Sequence, residues 1–496
     1  MFKCVPARRR ILTPHPRRQS LQGHALGCVL TISVALSASM PVHAGEAKVV
    51  ANETVANETV AITASLGSGK ASLRGTKDHS ADLITVAKQL SRTTAAFAKD
   101  VGTGGDAAGG ADETLVTGAI NPMPEDDFSS WFRYGSEVEA DWRVGGVAGE
   151  PNTVRIRPRK AFDPTSEGRR PRIFVLYPRR SSAYDVSITQ ILSVLAQKGI
   201  RAEITVMNFQ RDPKAAQAAL DQARRNNSDL IFAMGSESTA WLWGNFRDGD
   251  IPVVSVCSKD PVMLGQAENY DEGTGTNFAF TSLNMTVEAQ LAYVMGLKPN
   301  LKNLAVLVDR NNVSAVQTQS RPIALAARKR GVRVVELELV DRTRAKVELA
   351  TLVSDAVKSM KLNDPSLDNS LFWITGSTAV FREIATINEH SNRVPVLSVV
   401  PEVVKPGDDS AALSVGISFK SNAHLAALYG VKVLDGTARV GSLKVGVPSP
   451  PDIAINFKRV REIGLRMPFS LFEAASTVID YEGKAVRLLG KSVAGG

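Results

Sequence analysis

Hydroxyl, amide and carboxylate side chains recur directly after the short apolar runs between residues 172 and 399. Such groups hydrogen-bond to small polar molecules, and helix N-termini beside them add unpaired N–H groups that favour a carboxylate. Ten of them form the predicted ligand-binding set: Ser181, Ser182, Ser236, Glu237, Ser238, Asp260, Asp309, Asn312, Thr375 and Ser377. Because serine and asparagine are also common N-caps, Ser236, Asn312 and Ser377 have a purely structural alternative. The ligand hypothesis predicts that Ser236 and Ser377 face one ligand across a cleft.

Residues for catalysis or metal binding are sparse in this sequence. Beyond residue 44 the histidines are His79, His390 and His424, and Cys257 is the single cysteine, so neither a zinc set nor an intramolecular disulfide is expected. The run from Gly235 to Thr239 lacks the second glycine of a nucleophile elbow. The sequence therefore predicts a binding protein rather than an enzyme, with no cofactor and no metal.

The N-terminus has the order of charge and hydropathy of a secretory signal peptide. Six basic residues and no acidic ones precede or flank an apolar stretch that ends in small residues at Ala44. We therefore predict that residues 1–44 are a signal peptide, cleaved on export to the periplasm. The formal charge of +9 falls to about +3 without this segment, so the basic balance is no argument for nucleic-acid binding.

Two segments separate the signal from the patterned part of the chain. Residues 45–125 hold the repeat Val-Ala-Asn-Glu-Thr and a Gly/Ala run, which predicts a low-complexity, poorly ordered extension. Residues 126–170 form an aromatic and basic linker in this interpretation. Its aromatic residues fit two alternatives, a segment docked on the main body or a fluctuating tail: Phe128, Trp131, Phe132, Tyr134 and Trp142.

From residue 171 onward, β-rich runs alternate with amphipathic helices, which is typical of parallel sheets covered by helices on both faces. The alternation occurs twice. We predict an α/β protein of two Rossmann-like lobes joined by a hinge with several crossings. Lobe 1 spans residues 171–282 and lobe 2 residues 283–412, and residues 413–496 are predicted to return to lobe 1 and end in helices. Open parallel sheets bind ligands at the carboxyl ends of their strands, where the ten predicted residues lie.

Several short motifs then resemble one family. Ile251-Pro252-Val253-Val254 with Asp260-Pro261-Val262, Leu301 to Leu307, and Ile455-Asn456-Phe457 with Glu462 to Leu465 are similar to the tryptophan/tyrosine-type substrate-binding proteins of ABC transporters. The resemblance covers about residues 172–489 and implies the type I periplasmic binding-protein fold.

The resemblance also implies a function and partners. A monomeric periplasmic receptor would capture a small, carboxylate-bearing, amino-acid-like ligand between its lobes and deliver it to an ABC permease in the inner membrane. The alternative is a sensory or regulatory protein that uses the same clamp to signal to a partner. An exported hydrolase is disfavoured because the residues for such chemistry are missing.

Overall fold

The computed structural model describes residues 47–55, 58–67, 70–74, 127–160 and 169–493. The chain forms two compact units, residues 1–93 and residues 94–496. The predicted signal peptide lies outside the described residues. In the described part of the chain, no helix is long and apolar enough to cross a membrane.

The first unit contains a three-stranded antiparallel sheet in order β1-β2-β3. Its strands are β1 (Ala47–Val55), β2 (Glu58–Gly67) and β3 (Lys70–Arg74). The register places Thr54 opposite Thr59 and Val50 opposite Thr63, so the first copy of the repeat pairs mostly with the residues that follow the second copy. These strands were not expected from the low-complexity sequence, although valine and threonine favour them. The remainder of the expected extension 45–125 lies outside the described residues.

The first lobe is built on a seven-stranded sheet in order β10-β9-β8-β6-β7-β5-β4. Its parallel strands are β6 (Arg172–Tyr177), β7 (Glu203–Asn208), β8 (Leu230–Met234), β9 (Val253–Val256) and β10 (Phe278–Ala279). The helices between them are α1 (Ser182–Gln197), α2 (Pro213–Arg225) and α3 (Gly235–Phe246). The Asp212 carboxylate caps α2 by accepting from Lys214 N at 2.8 Å, as the Asp-Pro signal predicts.

The aromatic segment belongs to the first lobe rather than to a linker. Two 3-10 turns (Asp127–Ser130 and Ser136–Val138) precede the hairpin of β4 (Trp142–Val147) and β5 (Glu150–Pro158), and β5 pairs antiparallel with β7. Trp142 is 2% exposed and donates its indole N–H to Leu192 O at 3.0 Å, and Trp131 packs edge-on against Tyr177. Of the two alternatives, the structure thus shows the docked segment.

The second lobe is built on a nine-stranded sheet in order β12-β11-β13-β14-β15-β16-β17-β18-β19. Its parallel part comprises β11 (Asn303–Asp309), β12 (Arg333–Leu339), β13 (Ser370–Ile374), β14 (Val396–Ser398) and β15 (Leu413–Gly416). Its helices are α4 (Val287–Leu297), α5 (Val313–Ala315), a π turn (Val316–Ser320), α6 (Arg321–Lys329), α7 (Ala345–Met360), α8 (Thr378–Phe381) and α9 (Ile384–His390).

The chain crosses between the lobes three times, after β10, after β15 and before β16. Helix α10 (Phe419–Leu434) packs on α1, β8 and β9 of the first lobe. The other C-terminal elements lie in the second lobe: β16 (Asp452–Asn456), α11 (Phe457–Ile463), α12 (Phe469–Ala474), β17 (Thr477–Ile479), β18 (Ala485–Leu488) and β19 (Lys491–Ser492).

The predicted return of residues 413–496 to the first lobe is therefore wrong for the strands. β15 pairs with β14, and β16 adds antiparallel to β15. The predicted C-terminal helices also end in three strands. Strands of three to five residues show too little alternation to be assigned to one sheet or the other from sequence.

Candidate functional site

A cleft of about 800 Å³ lies between the carboxyl ends of the two parallel sheets. Residues of both lobes line it, together with Leu283 and Phe419 from the crossings. Residues at or next to the starts of four helices are among them: Ala183 of α1, Gly235 of α3, Val313 of α5 and Thr378 of α8. This is where open α/β sheets bind ligands, and the volume is in the range of small-molecule sites.

The start of α3 requires a glycine. Gly235 has φ of +74°, and a Cβ atom there would lie 2.1 Å from the Tyr184 hydroxyl oxygen. The sharp turn brings Ser236 and Glu237 to the cleft. Ser236 does not cap α3, whose N-cap is Met234; its hydroxyl instead accepts from Lys259 N at 2.9 Å.

Glu237 meets two guanidinium groups at the first-lobe wall. Arg211 donates to its carboxylate from Nη2 at 2.6 Å and from Nε at 3.2 Å, and Arg179 Nε lies 3.5 Å away. Burial alone raises the pKa of Glu237, but the charges of Arg179 and Arg211 and the hydrogen bond from Arg211 outweigh it, so the pKa lies below its ordinary value. Glu237 is therefore ionised and forms ion pairs with two arginines.

Asp309 and Asn312 form the polar part of the second-lobe wall, at the end of β11. The buried Asp309 carboxylate accepts from Arg342 Nε at 2.6 Å and from Asn311 N at 2.9 Å. Asn312 caps α5 by accepting from Ala315 N at 3.2 Å. Both side chains thus line the cleft while also holding the loop that carries them.

Lys259 is a cleft residue that the sequence analysis did not select. The residue is 7% exposed, and its Nζ lies 3.4 Å from Gly376 O across the cleft. Burial disfavours the ammonium and lowers the pKa of Lys259 from 10.5 to about 8, and the nearby Cys257 acts in the opposite direction. The available signal was a single cation in the loop after β9, beside the selected Asp260.

Five predicted site residues do not line the cleft. Ser238 donates to Leu176 O at 3.0 Å inside the first lobe, and Asp260 accepts from Val262 N at 2.9 Å and Met263 N at 3.0 Å to shape its own loop. The remaining three are buried side chains set behind the wall: Ser182, Thr375 and Ser377.

Of the two serines predicted to face one ligand, Ser236 lines the cleft and Ser377 does not, and a ligand shared by both in a closed form stays a prediction. Ser377 is the N-cap residue of α8, and its hydroxyl lies 3.0 Å from Thr375 Oγ1 and is not exposed to solvent. Ser181, Ser236, Glu237, Asp309 and Asn312 are the predicted residues that the structure brings to the cleft. Their contact with a ligand stays a prediction.

Aromatic side chains provide the apolar part of the cleft, which the sequence analysis also missed. They come from both lobes and from the start of α10: Tyr184, Phe209, Trp241, Phe381 and Phe419. They lie on four helices and in the loop after β7, which are far apart in the sequence, so only the fold brings them together. A flat apolar body placed between such rings would bury much of its surface.

The cysteine in the cleft wall is poorly suited to nucleophilic chemistry. Cys257 Sγ lies 2.9 Å from Ser187 Oγ, and burial raises the pKa of the thiol to about 12, so it is protonated at neutral pH. Among the described residues, no cluster of three or more metal-ligating side chains occurs. The arrangement can hold a small polar molecule by hydrogen bonds, charge and aromatic contact.

Comparison with known proteins identifies the family. The family model of ABC transporter substrate binding proteins matches residues 175–479, more than half of the chain. The chain belongs to this family. Every residue that lines the cleft of this substrate-binding protein falls within the matched region, whereas the β4–β5 hairpin precedes it.

Solved structures agree with the fold. A conserved domain protein from Vibrio cholerae O1 biovar El Tor is similar over 62% of this chain and 100% of its own, with TM-score 0.52 and 20% identity. An ABC domain from Streptococcus pneumoniae, solved with L-Trp, is similar over 63% and 100%, with TM-score 0.52 and 20% identity. A comparison with curated proteins finds no significant match.

These findings confirm the predicted family and the predicted two-lobed α/β fold of type I periplasmic binding proteins. The protein is a ligand-binding clamp of a transport family, and such a family binds substrates without transforming them.

Proposed function

We propose that the protein is the periplasmic receptor of an ABC transporter, that it closes on a small carboxylate-bearing ligand, and that it delivers this ligand to a permease in the inner membrane. The cleft carries the proposal. Its walls come from two lobes joined by three chain crossings, and its polar groups sit at strand ends and helix starts on both sides. A ligand that contacts both walls stabilises the closed form by its extra affinity for that form.

The ligand is identified from the small molecules that stay bound to the protein during purification. Full-length protein purified without refolding is denatured gently, and the released molecules are analysed by mass spectrometry and returned to stripped protein by isothermal titration. We expect one small acid to be retained and to rebind. Small-angle scattering then compares the two states, and the radius of gyration falls on binding if the lobes close. A molecule that rebinds without compaction contradicts the clamp mechanism.

Export and delivery have separate tests. Residues 1–44 have the pattern of a signal peptide, so mature protein recovered from the periplasm is expected to begin near Gly45. A soluble cytosolic protein that retains Met1 contradicts the proposed location. Delivery to a permease is tested by ligand-stimulated ATP hydrolysis of a transporter encoded beside this chain, with stripped protein as the control.

A further inference from the structure

Lys259 is a buried cation with weak compensation. The residue is 7% exposed and lines the cleft, and the hydrogen-bond acceptor of its Nζ is Gly376 O at 3.4 Å. No carboxylate of the described residues forms an ion pair with it. Buried charges are normally paired, because the loss of hydration disfavours a lone charge in the protein interior. An anion that enters the cleft therefore contacts the ammonium without having to displace a protein carboxylate.

The carboxylates of the cleft are already occupied by protein donors. Glu237 is held by two arginines, Asp309 by Arg342 and a backbone N–H, and Glu383 accepts from the Thr386 hydroxyl at 3.2 Å. The cations that line the cleft outnumber these three acids by two: Arg179, Arg211, Lys259, Arg342 and Arg382. A ligand ammonium group would have to compete with arginines for Glu237 and Asp309, and with the Thr386 hydroxyl for Glu383.

We propose that the ligand is a net anion, a small organic acid with an apolar body and no ammonium group, and that Lys259 binds its carboxylate. This inference rests on the proposed function, since it takes the cleft to be the ligand site. The aromatic side chains on both walls bury the apolar body, and the surplus of positive charge selects the acid over the zwitterionic amino acid of the same skeleton.

The lack of a side chain at Gly376, opposite Lys259, leaves the space that the ammonium occupies. A Cβ atom on Gly376 would lie 2.4 Å from Lys259 Nζ, so any side chain there displaces the ammonium. Gly376 N is in turn held by Gln319 Oε1 at 2.8 Å, which fixes the loop. Substitution of Gly376 thus moves the charge of Lys259 without removing it, and substitution of Lys259 removes the charge.

Matched acid and amino-acid pairs test the inference by isothermal titration at pH 7. The pairs are 3-phenylpropionate with L-phenylalanine, indole-3-propionate with L-tryptophan, and hexanoate with L-norleucine; within each pair only the α-ammonium differs. We expect at least one acid to bind, about 10-fold or more tightly than its partner. Loss of a hydrogen bond to a charged group predicts about 10- to 100-fold weaker acid binding in Lys259→Met, and Gly376→Ala is expected to weaken it as well.

Lys298→Met is the matched control, since Lys298 Nζ also bonds to a backbone carbonyl, Asp368 O at 2.8 Å, but does not line the cleft. We expect this variant to bind like the wild type. An amino acid that binds more tightly than its acid, or an acid whose affinity Lys259→Met leaves unchanged, overturns the inference and leaves the clamp standing. If no compound binds and no small molecule co-purifies, the proposed function fails. If one co-purifies, a cationic or zwitterionic molecule overturns the inference.

Discussion

Replacement of Lys259 by methionine is expected to raise the stability of the protein while it weakens ligand binding. Burial lowers the pKa of this lysine from 10.5 to about 8. At 1.36 kcal/mol for each pH unit of that difference, the charged side chain destabilises the folded state at pH 7 by roughly 3 kcal/mol. Methionine retains an unbranched apolar stem but loses the 3.4 Å bond to Gly376 O, worth at most about 1 kcal/mol. We expect the free energy of unfolding to rise by about 2 kcal/mol.

The effect of pH on the difference between the two proteins gives the sharper test. Because the folded pKa of Lys259 is depressed, its destabilising effect is complete below about pH 8 and disappears as the pH rises towards 10.5. Glu402 also has a raised pKa, but it is present in both proteins and cancels in the difference. Cys257 interacts with Lys259, so its contribution cancels only below pH 9.0, where the thiol is protonated in both proteins. Stability is measured by urea unfolding of wild type and Lys259→Met in steps of about 0.5 pH unit between about pH 7 and about pH 10.5.

We expect the variant to be more stable at pH 7 and the gap to close by about pH 10.5. Lys298→Met serves as control: burial also lowers the pKa of Lys298, but this lysine is only half-buried and Asp368 and Asp364 oppose the shift, so a smaller gap is expected. A Lys259→Met variant that is less stable than wild type at pH 7, or a gap that does not change with pH, refutes the view that this ammonium is an uncompensated buried charge.

Three further outcomes are expected. Ser236→Ala weakens ligand binding about 3- to 10-fold in calorimetric titration, whereas Ser377→Ala, whose hydroxyl is behind the wall, leaves the affinity unchanged. Burial raises the pKa of Glu402 from 4.5 to about 8. The stability that the protonated side chain contributes is therefore lost as the pH rises through that interval. Glu402→Gln is expected to flatten the stability profile measured by urea unfolding between pH 4.5 and about pH 8. Trp142→Ala costs about 3–5 kcal/mol of unfolding free energy, because it removes a buried ring and its bond to Leu192 O; a smaller loss shows that the β4–β5 hairpin is dispensable to the first lobe.

The sequence predicted the location of the cleft more accurately than it predicted which side chains line it. Loops after the parallel strands were expected to meet at one cleft, and Ser181, Ser236, Glu237, Asp309 and Asn312 do line it. Whether a hydroxyl in such a loop points into the cleft or back into its own lobe depends on the backbone turn. The sequence does not distinguish the two orientations, which is why half of the predicted set is bonded inside the lobes.

Two parts of the fold also differed from expectation. The sequence predicts an aromatic and basic linker over residues 126–170, but the β4–β5 hairpin within it extends the first sheet at the free edge of β7. The C-terminal strands were predicted in the wrong lobe. A three-residue strand such as Thr477–Ile479 has no local sequence feature that indicates which strand it pairs with. Strand partners are chosen by contacts that are distant in the sequence.

The sequence by itself determined the alternation of strands and helices, the apolar character of the sheets, helix starts such as Asp212-Pro213 and, through short motifs, the family. These depend on periodicity, capping and turn chemistry within a few neighbouring residues. The tertiary structure alone decided that Lys259 is buried opposite Gly376, that Glu237 is held by Arg179 and Arg211, and that rings from two lobes share one cleft. The energy of a charge or a ring depends on what surrounds it, and those surroundings are brought together only when the lobes fold and meet.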